Sequence, residues 1–298
     1  MTVLARATLS HLTHSIYLRP TSPGLVVLDP LTVILQILLM FGVAFIYSNL
    51  GLGGGLLFVP ILLATGVTDP KLAAPISLSL TTMTATSSVV NHYRKGFVDF
   101  HIARALVVGT LFGAFLGTVT TIEFLNKEAF KIVFVLILIG FGSLMARDWM
   151  KSTGLVDQDD DSKLNPKRIG ETTVAVVGSG FLSGLAGIGG GLLNVPLLIY
   201  LLGRKTRTAI GTSSLLIVPT AAFGFSLYVV GRYLVTSPFT WPAEFTLIPI
   251  LMPSVFVGAF LGSRLGLEKL KTRSISLIFI LVIFVAAAQI LLDIVGLM

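Results

Sequence analysis

The chain contains no cysteine, which excludes disulfides, thiolate metal sites and sulfur-relay chemistry together. Charge is scarce as well: Asp, Glu, Lys and Arg make up 12% of the residues against 54% hydrophobic ones, far from the balance of a soluble domain. No Asp, Glu, Lys, Arg or His lies near the centre of any apolar segment. That removes the usual candidates for a carboxylate proton relay and for an intramembrane enzyme, which needs buried His, Asp or paired carboxylates. The alternating ten-residue segments of a membrane β-barrel are missing too, because runs such as Ile132 to Ile139 are unbroken. What is present is a series of apolar stretches from Leu31 onward with a mean hydropathy of +0.93 for the whole chain. A helix needs about 20 such residues to cross a hydrocarbon core of ~30 Å, so the sequence predicts an all-α polytopic membrane protein.

The net charge of +7 does not point to nucleic acid. In a polytopic membrane protein an excess of Lys and Arg sets topology by staying in the cytoplasm. The first thirty residues, with Arg6, His11, His14 and Arg19, lack the compact apolar core of a cleaved signal peptide, and they read as a peripheral arm.

Two internal repeats organise the rest. GLGGGLLFVP at Gly51 to Pro60 returns 136 positions later as GIGGGLLNVP at Gly187 to Pro196, with eight of ten residues identical. GAFLG at Gly113 to Gly117 returns unchanged at Gly258 to Gly262. The second copy is nine residues longer between its motifs, which places an insertion in the Pro- and Trp-containing stretch Ser237 to Phe245. The hydrophilic stretch 151–171 reads as a cytoplasmic linker between repeat 1, residues 31–150, and repeat 2, residues 172–298.

Each half divides into five apolar segments, of which the second is short: Leu56 to Gly66 and Leu192 to Leu202. Eleven helical residues rise only about 16 Å, half a bilayer core, so these are half-helices that need neighbouring backbone to finish a crossing. If all ten segments cross, 15 of the 21 cations fall on one side, Arg94, Lys95, Arg204 and Arg207 among them. If the short ones merely dip, the split is 11 to 10 and no inside is defined. Ten crossings are therefore expected. Five per half is odd, so the repeats should be inverted, with both termini outside the cytoplasm and a shared site near the midplane.

Three consecutive glycines make a continuous helix unfavourable, at about 1 kcal/mol each relative to Ala. Gly53, Gly54 and Gly55, like Gly189, Gly190 and Gly191, therefore read as helix breaks lining a cavity, with the N-terminus of the following half-helix offering free N–H groups to an anion. The competing reading is close helix contact, which fits the GAFLG pairs better. A dinucleotide fingerprint is excluded, since no strand precedes and no acidic residue follows at the required distance. The third segment of each half is rich in hydroxyls, and Ser77, Ser79 and Thr82 in the first and Thr212, Ser213 and Ser214 in the second are candidate anion donors. Neutral donors can hold an oxyanion and release it. Asn49 and Asn194 add amides at the same breaks. Neither a metal nor a cofactor is called for.

At these residues the chain resembles the TauE/SafE sulfite exporter family, also called TSUP, whose members carry two copies of G-x-G-G-G-x-x-x-x-P. Gly51, Gly53, Gly54, Gly55 and Pro60 match the first copy, and Gly187, Gly189, Gly190, Gly191 and Pro196 the second. Ala209 to Leu215 follows the family's Ala/Thr-Ser-Leu stretch more closely than Ala74 to Leu80 does. The resemblance covers about Leu31 to Met298 and implies export of sulfite, sulfoacetate or related organosulfonates across the cytoplasmic membrane by alternating access. The alternatives are an intramembrane enzyme and a permease for another small anion. The partners expected are a small anionic substrate and the lipid bilayer. Export of an anion from a negative-inside cell is favoured by ~2.3 kcal/mol per charge per 100 mV, so no coupling ion is required in that direction.

Overall fold

The computed structural model describes residues 29–151, 159–160, 164–235, 242–269 and 272–295. The N-terminal arm up to residue 28, residues 152–158 and 161–163 of the central linker and most of the insertion lie outside the described residues. Ten α-helices make up the rest. In the first half they are α1 (Pro30–Tyr47), α2 (Gly55–Ala64), α3 (Pro70–Arg94), α4 (Phe100–Glu123) and α5 (Lys127–Lys151). In the second they are α6 (Pro166–Ala186), α7 (Gly191–Tyr200), α8 (Thr206–Val235), α9 (Leu247–Lys269) and α10 (Thr272–Ile294).

The helix starts are written locally. Asp29, Asp69 and Asn165 each stand before a proline, accept a backbone N–H from the first turn and so begin α1, α3 and α6. Asp99 does the same for α4 without a proline, and Asn126 accepts the Ala129 N–H at 2.7 Å at the start of α5. The Asn165 cap starts α6 inside the stretch read as linker, because a capped Pro-Lys-Arg turn is polar yet helical. Five helical stretches are long and apolar enough to cross a bilayer: Pro30–Tyr47, Phe100–Glu123, Pro166–Ala186, Thr206–Arg232 and Ala243–Leu265. At 25 residues α3 is long enough too, but its hydroxyls make it less apolar; 17 of its residues are buried, so protein rather than lipid surrounds it. The lipid-facing character is carried elsewhere, for example by Leu31, Ile34 and Leu38 on α1.

Equivalent helices make equivalent contacts. α4 packs on α6 as α9 packs on α1, and α3 meets α9 as α8 meets α4. The two closest seams are made by glycine. A methyl group on Gly113 or Gly117 would fall on the carbonyl oxygens of Val177 or Phe181 in α6. One on Gly258 or Gly262 would meet those of Phe41 or Phe45 in α1. The GAFLG glycines are thus contact surface, letting backbones approach where any side chain would hold them apart.

α3 and α8 run antiparallel through the centre. Leu78 lies beside Gly224 and the Ser88 and Ser214 hydroxyls are 3.4 Å apart, while a methyl group on Gly211 would touch His92. At one end of the bundle Lys71 donates to the Ile122 carbonyl, Lys127 pairs with Asp69 at 3.1 Å and Lys131 with Asp293 at 2.8 Å. At the other, Lys95 donates to the Ser263 and Arg264 carbonyls, Arg207 lies over the Phe97 ring, and Asp159 pairs with Arg204 and Lys205.

Candidate functional site

The two glycine breaks meet back to back at the middle of α3 and α8. Neither triple-glycine stretch is a continuous helix: Gly54 and Gly190 begin α2 and α7 with φ of 93° and 77°, a region that only glycine enters at no steric cost. A methyl group on Gly55 would strike the Gly187 carbonyl, and one on Gly191 the Gly51 carbonyl. Each short helix then turns back along the helix before it. In the first half the Gln36 amide fixes the far end, donating to the Thr65 hydroxyl at 2.8 Å and its carbonyl at 3.2 Å.

Unlike α1, α3, α4 and α6, the half-helices have no side-chain cap. The N–H groups of Gly54, Gly55 and Leu56, and of Gly190, Gly191 and Leu192, find no acceptor among the described residues. Two positive dipole ends therefore face the interior with neither a carboxylate nor a hydroxyl to satisfy them. Donors left open inside a membrane protein are costly unless a ligand or water takes them.

Each sequence-predicted hydroxyl has a defined place. Ser77 donates across the interface to the Gly187 carbonyl at 2.7 Å, with the Gly55 carbonyl at 3.4 Å, and Ser213 donates to the Gly51 carbonyl at 2.8 Å. Ser79, Thr82 and Ser214 donate to the Ile76, Leu78 and Ile210 carbonyls of their own helices. Thr212 accepts the Asp99 N–H at 3.0 Å, at the cationic end of the bundle and away from the breaks. A hydroxyl has one proton, so those that bond backbone have none left for an anion.

The amides differ as well. Asn49, just past the end of α1, donates to the Phe45 carbonyl of that helix, while its buried Oδ1 has no partner. Asn194 accepts the Ser179 hydroxyl at 2.6 Å, and no protein acceptor among the described residues takes its NH2. Gly190 and Ser179 share this corner, the Ser179 hydroxyl lying 2.7 Å from the Gly190 carbonyl. In the first half the corresponding corner is apolar, with the Phe58 ring against Gly54.

Thr81 is the residue that a list of hydroxyls did not isolate. Its methyl touches the space beside both Gly53 and Gly189, its side chain is fully buried and its hydroxyl has no hydrogen-bond partner. The residue 136 positions on is Ile217, which lines the same two glycines. The repeat offset was a signal for this pair, since it marks the point where one half offers a hydroxyl and the other a hydrocarbon. The crossing thus holds two uncapped helix ends, the Thr81 hydroxyl and the Asn194 amide, and no side-chain charge. A cleft of about 350 Å³ between α5 and α6 offers nothing comparable, being lined by apolar side chains such as Leu136, Phe141 and Phe181.

A family model described as sulfite exporter TauE/SafE matches residues 36–290, a span that contains both breaks and both GAFLG helices. The chain belongs to the TauE/SafE family. Among curated relatives, a probable membrane transporter protein of Xylella fastidiosa (strain Temecula1) is 31% identical to this TauE/SafE chain over 243 residues, 80% of it and 89% of the relative. The probable membrane transporter protein YunE of Bacillus subtilis is 26% identical over 268 residues, 83% and 92% of the two chains. MJ0441 of Methanocaldococcus jannaschii, likewise named a probable membrane transporter protein, is 25% identical over 244 residues, 78% and 85%. No solved structure matches significantly. This TauE/SafE protein is a membrane transporter and not an enzyme.

Proposed function

We propose that the transporter moves a small sulfur-containing oxyanion, sulfite or a short organosulfonate, across the cytoplasmic membrane by alternating access at the crossing of the two glycine breaks. One observation carries this reading: two uncapped half-helix N-termini converge where the Thr81 hydroxyl is buried without a partner. Tetrahedral and pyramidal oxyanions present several oxygens at once, and each charge-assisted hydrogen bond to a neutral donor contributes about 1.5–3 kcal/mol. Several such bonds are needed to offset dehydration, yet without a fixed cation the anion can leave.

The alternation rests on inverted repeats. Antiparallel packing of α3 on α8, the exchange of equivalent helix pairs and the reciprocal Ser77 and Ser213 bonds all support a two-fold relation lying across the helix axes. On that reading each extended glycine segment plus its half-helix completes a crossing, giving ten. The end with Lys95, Arg204, Arg207 and Arg264 is cytoplasmic by its cations, and both termini are outside. The central linker, residues 151–171, then lies on the cytoplasmic side between repeats of five segments each.

The test is flux in proteoliposomes under both membrane polarities, with sulfite, sulfoacetate, taurine, phosphate and sulfate competing in one panel. The expected result is transport of the sulfite or sulfonate members, lost in Gly54→Leu and Gly190→Leu variants that still insert. Flux confined to phosphate or sulfate would assign a different anion, and no anion flux would reject the reading.

A further inference from the structure

The two third helices carry one exchange that the anion site does not use. Counting 136 positions on from His92 gives Tyr228, and the two rings do the same structural work. Tyr228 donates to the Gly184 carbonyl at 2.8 Å; the His92 Nε2 lies 3.2 Å from the carbonyl of Ser48, which is the residue equivalent to Gly184. A carbonyl only accepts, so the His92 Nε2 carries the hydrogen and Nδ1 is the bare nitrogen. That Nδ1 is buried and has no partner. A phenol suffices to hold the carbonyl, as Tyr228 shows. What the imidazole adds is a second nitrogen that can take a proton, which a phenol lacks.

The surroundings differ in the same sense. Near His92, Ser88 donates to the Ser48 carbonyl at 2.8 Å and approaches Ser214, while Asn91 donates to Ser263 at 2.8 Å. Near Tyr228 the counterparts of Ser88, Ser214 and Asn91 are Gly224, Leu78 and Leu227. The charged groups at this end of the elements packed around His92 are Arg94 and Lys95 at the end of its own helix, Asp99 at the start of α4, Arg207 on α8 and Arg264 on α9. α1 brings Ser48 and no charge, and no carboxylate bonds the ring. His92 also stands in the last turn of α3, where the helix dipole favours a cation.

We propose that His92 is a proton-coupling site, at which a proton is carried in the same direction as the anion. This rests on the anion reading of the crossing. A proton from the aqueous phase at the α3 C-terminal end binds Nδ1, the Nε2–H bond to Ser48 stays in place throughout, and the proton leaves from Nδ1 to the opposite phase when the anion leaves. Protonation makes the Nε2–H···O bond charge-assisted, tightening the hold on Ser48, the residue from which the first glycine segment departs. A monoanion loaded with one proton is a neutral cargo, so the membrane potential, worth ~2.3 kcal/mol per charge per 100 mV, neither drives its exit nor opposes its entry.

The test uses the full-length protein in vesicles with a trapped pH dye and a gradient of radiolabelled methanesulfonate, an anion that is fully ionised at neutral pH and carries no proton itself. The expected result is proton movement accompanying the anion, with the proton-to-anion ratio falling about tenfold or more in His92→Tyr, which keeps a donor for Ser48 and removes the titration. His92→Gln is the second variant should the tyrosine fail to insert. Methanesulfonate flux without protons in the wild type, or an unchanged ratio in both variants, would overturn the coupling while leaving transport standing. A separate arm needs no flux: 15N-histidine NMR of the purified protein with methanesulfonate present should show His92 Nδ1 taking up a proton as the pH is lowered. A ring that stays neutral throughout overturns the proposal, whereas absence of any anion flux overturns the transport reading itself.

Discussion

Ser77 and Ser213 each close the other half of the molecule: Ser77 donates to the Gly187 carbonyl at 2.7 Å, and Ser213, 136 positions on, donates to the Gly51 carbonyl at 2.8 Å. Both hydroxyls are buried, and the carbonyls they satisfy are the first peptide groups of the two G-x-G-G-G motifs. The pair fixes the register of one break against the other.

Replacing either serine by alanine leaves a buried carbonyl one donor short. Ser77→Ala and Ser213→Ala should each destabilise the protein by about 1–3 kcal/mol, and by similar amounts, because they remove equivalent bonds. Thermal unfolding of the purified variants in detergent checks this. A loss confined to one of them would show that the two contacts are not equivalent.

Thr81→Val makes the opposite prediction. Its hydroxyl bonds nothing in the protein, so the variant should unfold at or slightly above the wild-type temperature. Anion affinity should nevertheless fall about tenfold, the ~1.5 kcal/mol of one charge-assisted hydrogen bond. Comparing KM for flux with Tm for the same variant separates the two effects.

Gly54→Ala and Gly190→Ala should abolish transport. Each puts an L-residue into left-handed backbone at a cost of roughly 1–2 kcal/mol, and the added methyl also meets the Phe58 ring or the Ser179 hydroxyl. Gly96→Ala is the control, since Gly96 has a φ of 70° with open space around it. It should pay the backbone strain alone and keep most of the flux, as an initial-rate assay would show.

Much of the architecture was legible because its signals are local. Glycine breaks and apolar runs mark most of the helices, and the expected short segments Leu56 to Gly66 and Leu192 to Leu202 overlap α2 and α7 closely. The start of α6 was less legible: Lys167 and Arg168 look like linker until the Asn165 cap is seen to order them. Within the site, sequence could name hydroxyls but not their directions. Ser79 and Thr81 are two residues apart with the same chemistry, yet one donates to Ile76 and the other to nothing. Whether a hydroxyl turns to its own helix, to a facing one or to neither depends on its rotamer and on the packing around it, which sequence does not show.

Substitutions in the glycine seams should act on assembly rather than on transport specifically. Gly117→Ala and Gly262→Ala both drive a methyl into a facing carbonyl, of Phe181 and Phe45 respectively. Each should lower yield and detergent Tm, with a cost of several kcal/mol unless the helices separate. Size-exclusion profiles and Tm would register the loss, and transport per correctly folded molecule should change far less than it does in Gly54→Ala.

The closest helix seams, α4 with α6 and α1 with α9, join one half of the chain to the other rather than closing either half on itself. Neither half of the chain can bury its glycine stripe alone. Residues 1–150 and 151–298 produced as two polypeptides should therefore find each other in the same membrane, and neither should survive there without its mate.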